Sequence, residues 1–273
     1  MAYNLLKGKK GIIFGALNEQ SIAWKVAERA REEGAEIVLT NTEISLRMGE
    51  ISKLAEKCNA PVIAADATKV EDLEALVDGA MEHFGGKFDF VLHSVGMSPN
   101  VRKNIPYQSL NYTFLDRTLD ISAVSFHKVL QVLYAKDALN EWGSVVALTY
   151  MAAQRTFVGY SDMADAKALL ESVARSFGAI YGRDRKVRVN TVSQSPTATT
   201  AGKGIAGMSG MLDFAEAMSP LGNADADDCA DYCVTLFSDL TRKVTMQNLY
   251  HDGGFSKMGL SEEVYNTFLN NKG

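Results

Sequence analysis

Short runs of consecutive apolar residues alternate along this chain with longer stretches that are apolar on one helical face only. Ile12-Ile13-Phe14, between Gly11 and Gly15, predicts a first buried strand. Ile22, Ala23, Val26, Ala27 and Ala30 then share one face of a helix, opposite Lys25, Glu28, Arg29 and Glu32, and Gly34 stands where a helix C-terminal glycine belongs. Further strands are predicted at Ile37-Val38-Leu39, Val62-Ile63-Ala64-Ala65, Phe88 to His93, Val145 to Leu148, Val187 to Val192 and Asn248 to His251.

Strands apolar at every position, rather than at alternate ones, are covered on both faces. Their alternation with helices of ten or more residues implies right-handed crossovers and a parallel sheet. The expected α/β fold is a single-domain, Rossmann-type, doubly wound parallel sheet with helices on both faces. No repeat or linker divides residues 1–273, so one dinucleotide-binding and catalytic domain is expected. Ligands of such sheets bind beyond the carboxyl ends of the strands, which is where chemistry should be sought.

Composition narrows the options without changing this picture. Hydrophobic residues make up 47% and charged residues 22% of 273, as in an ordinary globular protein. A net charge of −5 argues against a nucleic-acid surface, and no apolar run is long enough to span a bilayer. The N-terminus lacks a secretory pattern, so a cytoplasmic protein is expected. Cys58, Cys229 and Cys233 read as reduced core thiols, and His83, His93, His127 and His251 lack metal-ligand spacing, so no metal is expected. His93 reads as a hydrogen-bonded structural histidine, and Arg183 to Lys186 as a solvated loop.

After the first strand comes Gly15-Ala16-Leu17-Asn18-Glu19-Gln20-Ser21-Ile22-Ala23. A dinucleotide turn needs a glycine for the bend and helix-starting N–H groups for the pyrophosphate. Only Gly15 matches the glycine fingerprint. Ser21 offers a hydroxyl and an N–H in place of the missing glycines, or is simply an N-cap. Thr40-Asn41-Thr42-Glu43 ends the second strand with no cation for a 2′-phosphate, the nearest being Arg47, which favours NAD over NADP. Asp66-Ala67 and Ser94-Val95-Gly96 stand where the adenine and a ribose would lie.

Thr149-Tyr150 follows the Val145 strand, and Tyr160-Ser161-Asp162-Met163-Ala164-Asp165-Ala166-Lys167 follows ten residues later. On a helix, positions 160, 163, 164 and 167 share a face. A lysine beside a phenol would lower the phenol pKa, giving a proton donor or oxyanion stabiliser. The alternative is a surface helix with a chance Tyr/Lys pair, but the place of the pair after a central strand favours function.

The Tyr-x6-Lys pattern resembles the short-chain dehydrogenase/reductase superfamily. Gly15-x5-Ser21-Ile22-Ala23, His93-Ser94-Val95-Gly96, Tyr150-x9-Tyr160-x6-Lys167 and Asp252-Gly253-Gly254-Phe255-Ser256 together resemble the bacterial enoyl-acyl-carrier-protein reductases, from about Lys7 to Ser256. The resemblance implies NADH-dependent reduction of a trans-2-enoyl thioester in fatty-acid elongation. Tyr160 would hydrogen-bond the thioester carbonyl, Lys167 would hold the nicotinamide ribose, and Tyr150 would line the pocket. Gly15, Ser21, Ile22, Thr42, Asp66, Ala67, Ser94, Val95 and Gly96 would contact the cofactor.

By the same resemblance, Thr197, Ala198, Thr199, Thr200 and Ala201 form the nicotinamide-side turn. It opens a substrate flap over about 197–219 containing Met208, Met211, Phe214 and Met218; these methionines could equally be amphipathic core. Ser195 stands in place of the glycine usual before Pro196, which questions the backbone there. Met97, Ser98 and Met163 would join Tyr150 at the acyl chain. The implied partner is an acyl carrier protein, and the implied assembly a homotetramer. A carbonyl or alcohol oxidoreductase of the superfamily and a non-catalytic dinucleotide sensor are the rival readings; Thr149-Tyr150, where ordinary members carry a serine, counts against the first.

Overall fold

A computed structural model describes residues 2–199 and 208–270. In chain order the elements are β1 (Lys10–Phe14), α1 (Ile22–Glu32), β2 (Glu36–Thr40), α2 (Glu43–Met48), α3 (Ile51–Cys58), α4 (Val70–Phe84), β3 (Phe88–His93), α5 (Pro99–Arg102), α6 (Tyr112–Leu119), α7 (Ser125–Ala135), β4 (Leu139–Thr149), α8 (Asp162–Arg185), β5 (Arg188–Gln194), α9 (Met208–Met218), α10 (Ala226–Phe237), β6 (Asn248–His251) and α11 (Glu262–Asn270). A π-helical turn, Asp120–Val124, joins α6 to α7.

The strands form one parallel sheet in the order β2-β1-β3-β4-β5-β6. All five neighbouring pairs are parallel, as the unbroken apolar runs require. Alternate side chains of each strand feed two separate cores. Ile12, Phe14 and Val91 face α4, α7 and α8 residues such as Leu76, Phe126 and Leu170. Ile13, Phe90 and Leu92 face Ala23, Ala27 and Val26 of α1 and Cys229, Cys233 and Phe237 of α10. The cysteines are free and buried, as expected. No helix among the described residues is long and apolar enough to cross a membrane.

Two predicted elements differ. Val62 to Ala65 is not a strand: it makes a single bridge, Val62 to Leu39, at the outer edge of the sheet. Ile63 and Ala65 still donate to the carbonyls of Leu39 and Asn41 at 3.0 Å each, but the run has a neighbour on one side only, and Ala64 is exposed. The Arg183-Asp184-Arg185 cluster is the last turn of α8 rather than a loop, where cations complement the helix C-terminus.

A third, smaller apolar cluster lies beyond the carboxyl ends of β4 and β6. Tyr150, Met151, Ala152, Ala215, Met218 and Phe255 form it, with Phe157, Tyr160 and Ala164 packed against them. Ala215 and Met218 belong to α9, so the methionine-bearing segment packs into the same cluster as the tyrosines while Phe214 remains 44% exposed.

Candidate active site

Gly15 takes φ +96°, a left-handed value that favours glycine, and a Cβ there would lie 2.0 Å from the Ser94 carbonyl oxygen. The turns after β1 and β3 therefore touch backbone to backbone. The Ser21 hydroxyl accepts from the N–H groups of Leu17 (3.2 Å) and Asn18 (3.1 Å), closing the turn from within. Ser21 thus replaces glycine by shaping the loop, and its hydroxyl is already engaged. The N–H groups of Ile22 and Ala23 have no partner among the described residues, and the first turn of α1 carries no acidic residue. Free amides at a helix start without acidic residues are what a pyrophosphate requires.

Next along the sheet edge, Thr42 caps α2 by accepting from Ser45 N–H, and Glu43 pairs with Arg47 at 3.1 Å on an exposed face. Asp66 holds Thr68 through one carboxylate oxygen, and Ala67 is buried beside it. At Gly96 a Cβ would meet the Met163 methyl at 3.3 Å and Lys167 Nζ at 3.6 Å. The Met163 methyl and the Lys167 ammonium thus both pack close to the backbone just past β3. Met97 is fixed through its backbone, both donating to and accepting from the Ser122 hydroxyl of the π-turn.

Lys167 is buried and donates to the Leu148 carbonyl at 2.8 Å. Burial pulls its pKa from 10.5 down to about 8, against the upward pull of the Glu171 charge. Tyr160 is not on α8: it precedes Ser161, whose φ of +48° turns the chain sharply before the helix begins at Asp162. The buried Asp162 carboxylate causes this turn inward by accepting from Ser98 Oγ (2.6 Å), Asn100 Nδ2 (2.7 Å) and Thr118 Oγ1 (2.8 Å). The Tyr160 phenol is raised above its ordinary value by burial, the opposite of the lysine effect expected from sequence. Lys167 is spent on a carbonyl, and desolvation decides.

The Tyr150 ring stands 4.9 Å from that of Tyr160, tilted by 55°. Its hydroxyl is buried and lacks a hydrogen-bond partner among the described residues. Burial, then the neighbouring Tyr160 and Asp252, raise its pKa as well, so both phenols stay protonated at neutral pH. An unsatisfied buried hydroxyl is costly, and a ligand carbonyl would satisfy it. Ser98 differs from expectation: its side chain is buried and used by Asp162 and Val101, so it shapes the pocket from behind. Met163, 8% exposed, places its methyl beside Gly96.

Past β5, Ser195 has ordinary negative-φ backbone and its hydroxyl accepts from Ala224 N–H, so glycine is not needed there. Thr197 bonds the Ser195 carbonyl, and Thr197 and Ala198 line a cleft of about 460 Å³ with Gln20 and Asn223. Thr199 lies at the end of this turn; Thr200, Ala201 and the Met208 side chain lie outside the described residues. His93 is buried and bonded to Ser125 Oγ at 3.0 Å, with a pKa pulled to about 3 by burial, and acts as core. Among the described residues no cluster of His, Cys, Asp and Glu could hold a metal.

These features meet a dinucleotide's needs: a glycine turn, free helix amides and a buried lysine at the ends of adjacent strands. The family profile described as Enoyl-(Acyl carrier protein) reductase matches residues 15–256. The chain belongs to the enoyl-acyl-carrier-protein reductase family. It is 34% identical to Enoyl-[acyl-carrier-protein] reductase [NADH] 2 of Rhizobium meliloti, over 92% of this chain and 93% of that one. Identity to the NADH enoyl reductase FabI of Rickettsia bellii is also 34%, over 97% and 100% of the two chains. The crystal structure of a FabI–NADH complex from Alistipes finegoldii superposes with a TM-score of 0.95 at 74% identity, covering 96% of this chain and 93% of that chain.

Tyr150, Tyr160, Lys167 and Gly15, singled out in the sequence, all lie beyond the carboxyl ends of the strands, as their positions after those strands imply. Asp162, Ser122 and Glu171, which hold these segments in place, are not singled out by the sequence. Asp162 carried one local signal, an acidic residue at a helix start. Ser122 carried none, because a π-turn has no simple residue signature and its partner Met97 is 25 positions away.

Proposed function

We propose that this chain reduces the trans-2 double bond of enoyl thioesters held on acyl carrier protein, with NADH as reductant, in fatty-acid elongation in the cytoplasm. When bound, NADH supplies the hydride to the β-carbon. Gly15, Ile22 and Ala23 hold the pyrophosphate, Ser94, Val95 and Gly96 give close backbone approach to the ribose, and Asp66, Ala67 and Thr42 border the adenosine. The turn at Thr197, Ala198 and Thr199, continuing to Thr200 and Ala201, borders the nicotinamide.

As hydride arrives, negative charge collects on the thioester oxygen. Tyr160, protonated because burial raises its pKa, donates a hydrogen bond to that oxygen. Lys167 adds positive potential and orients the ribose. Tyr150, Met97 and Met163 line the acyl chain, and α9 excludes water. Proton delivery to the α-carbon completes the reduction.

The observation that carries this reading is the pairing of Thr149 with Glu171. The threonine hydroxyl donates to Glu171 at 2.9 Å and is unavailable for a ketone, whereas the buried hydroxyl of the adjacent Tyr150 has no partner among the described residues, and the Tyr160 ring stands 4.9 Å from the Tyr150 ring. That favours an enoyl thioester over the carbonyl substrates of a superfamily oxidoreductase. The test is NADH oxidation with a trans-2-enoyl thioester on carrier protein, beside simple ketones and acetoacetyl thioester. Turnover of the enoyl substrate alone supports the reading. Turnover of ketones alone would reassign the enzyme, and NADH binding without any oxidation would make it a sensor.

The active unit is a homotetramer in this reading. Tyr265, Phe268 and Leu269 of α11 are half or more exposed, an apolar face that a second copy would cover. A monomeric mass by light scattering at micromolar concentration would exclude it.

A further inference from the structure

Glu171 is 3% exposed, and its carboxylate accepts from two neutral donors, Thr149 Oγ1 at 2.9 Å and Gln154 Nε2 at 2.7 Å. No Lys, Arg or His among the described residues forms an ion pair with it. A buried carboxylate without a contacting cation is expensive. Four residues earlier on α8, Lys167 is buried too, and among the described residues its ammonium hydrogen-bonds the neutral Leu148 carbonyl and forms no ion pair. Positions four apart share a helix face, with Cβ atoms about 5–6 Å apart. Two opposite buried charges therefore face each other across one turn without touching.

Resting on the reductase reading above, we propose that Glu171 is a positioning residue that keeps the Lys167 ammonium charged in its apolar surroundings and clamps the Tyr150 segment to α8. The clamp is a chain of hydrogen bonds. Tyr250 OH donates to Gln154 Oε1 at 2.8 Å, Gln154 donates to Glu171, and Thr149, next to Tyr150, donates to the other carboxylate oxygen. The clamp alone would need only an amide at 171, since a glutamine oxygen can accept from Thr149. The charge has a use only if something cationic is to be held.

Other groups facing Lys167 do not supply that charge. His93 on β3 is neutral, its pKa being pulled to about 3 by burial and then by Lys167 itself. Tyr160 before α8 and Tyr150 after β4 remain protonated. Among the described residues Glu171 is the charge that acts on Lys167 against burial, and burial holds the lysine near 8. Asp162, at the start of the same helix, is enclosed by Ser98, Asn100 and Thr118.

The test titrates Lys167 by the chemical shift of its 13C-labelled Cε, assigned by Lys167→Arg, in full-length protein without cofactor or substrate. NADH affinity and kcat/KM are followed over the same pH range. Glu171→Gln should lower the Lys167 midpoint by about one pH unit, the low end of the effect of a nearby opposite charge. The basic limbs of NADH binding and of kcat/KM should move with it. Thr149→Val breaks the clamp but keeps the charge, and should leave the midpoint in place. Should Glu171→Gln not fold, the exchange Glu171→Gln with Gln154→Glu keeps the amide–carboxylate bond while moving the charge away, and the midpoint should again fall. An unmoved midpoint in either charge variant, or an equal shift in Thr149→Val, would overturn the proposal. The midpoint is read without turnover, so an inactive wild type would sink the reductase reading and leave this test standing.

Discussion

The Ser94 carbonyl oxygen occupies the space a Cβ on Gly15 would need, at 2.0 Å. One backbone contact thus joins the turns after β1 and β3, the two places where a dinucleotide lies across the sheet. Gly15→Ala adds both this clash and the strain of a positive φ, about 1–3 kcal/mol for the backbone conformation alone. We expect NADH binding to weaken at least about tenfold, equivalent to 1.4 kcal/mol, with a lowered Tm. Fluorescence titration and thermal unfolding check this; unchanged affinity would mean the turns separate without cost.

Activity should fall as pH rises through about 8, the value to which burial lowers Lys167. Below it the lysine is charged and attracts both the ribose hydroxyls and the developing oxyanion; above it that attraction is lost. Both phenols are raised rather than lowered, so they do not titrate first. A pH profile of kcat/KM with NADH saturating tests the sign. A rate that climbs steadily through pH 9 would show that a phenolate, not the ammonium, matters.

Much of this was legible in the sequence because it is local. The run Phe88 to His93 and the run Asn248 to His251 are strands over those same residues, and α1 buries Ala23, Val26, Ala27 and Ala30 as their spacing requires. What escaped depends on contacts distant in sequence. Tyr160 leaves the helix because Asp162 bonds Ser98 and Asn100, 64 and 62 positions away. No helical periodicity could show that. Val62 to Ala65 has the composition of a strand but only one neighbour, a fact of sheet order rather than of residue type. The sign of the Tyr160 shift also follows from burial, which spacing to a lysine does not reveal.

NADH should be preferred over NADPH by kcat/KM. Arg47, the nearest cation in sequence after Thr42, is already paired with Glu43, which itself repels a 2′-phosphate. Glu43→Ala removes the repulsion and frees the arginine, so the preference should narrow by several-fold while NADH kinetics hold. Parallel steady-state assays with both cofactors decide. Equal use of NADPH by the wild type would show that Arg47 leaves Glu43 for the phosphate.

The two tyrosines should separate in both kinetics and stability. Tyr160→Phe removes the hydroxyl aimed at the thioester oxygen and keeps the ring packed on Tyr150. Loss of one such donor costs about 2.7–4 kcal/mol, roughly 100- to 1000-fold in kcat, and the lower part of that range is expected because Lys167 still supplies positive potential. Tyr150→Phe should raise KM for the enoyl thioester more than it lowers kcat. Its hydroxyl is buried without a partner among the described residues, and such a group costs about 1–3 kcal/mol. Removing it should therefore leave the unliganded protein as stable as before or more so, read as an unchanged or higher Tm. A side chain kept at a cost to the empty protein is explained by what it binds. If Tyr150→Phe lowers kcat more than Tyr160→Phe, the roles are exchanged and Tyr150 is the donor to the oxyanion. If it lowers Tm instead, the hydroxyl has a partner in the protein and its value is structural.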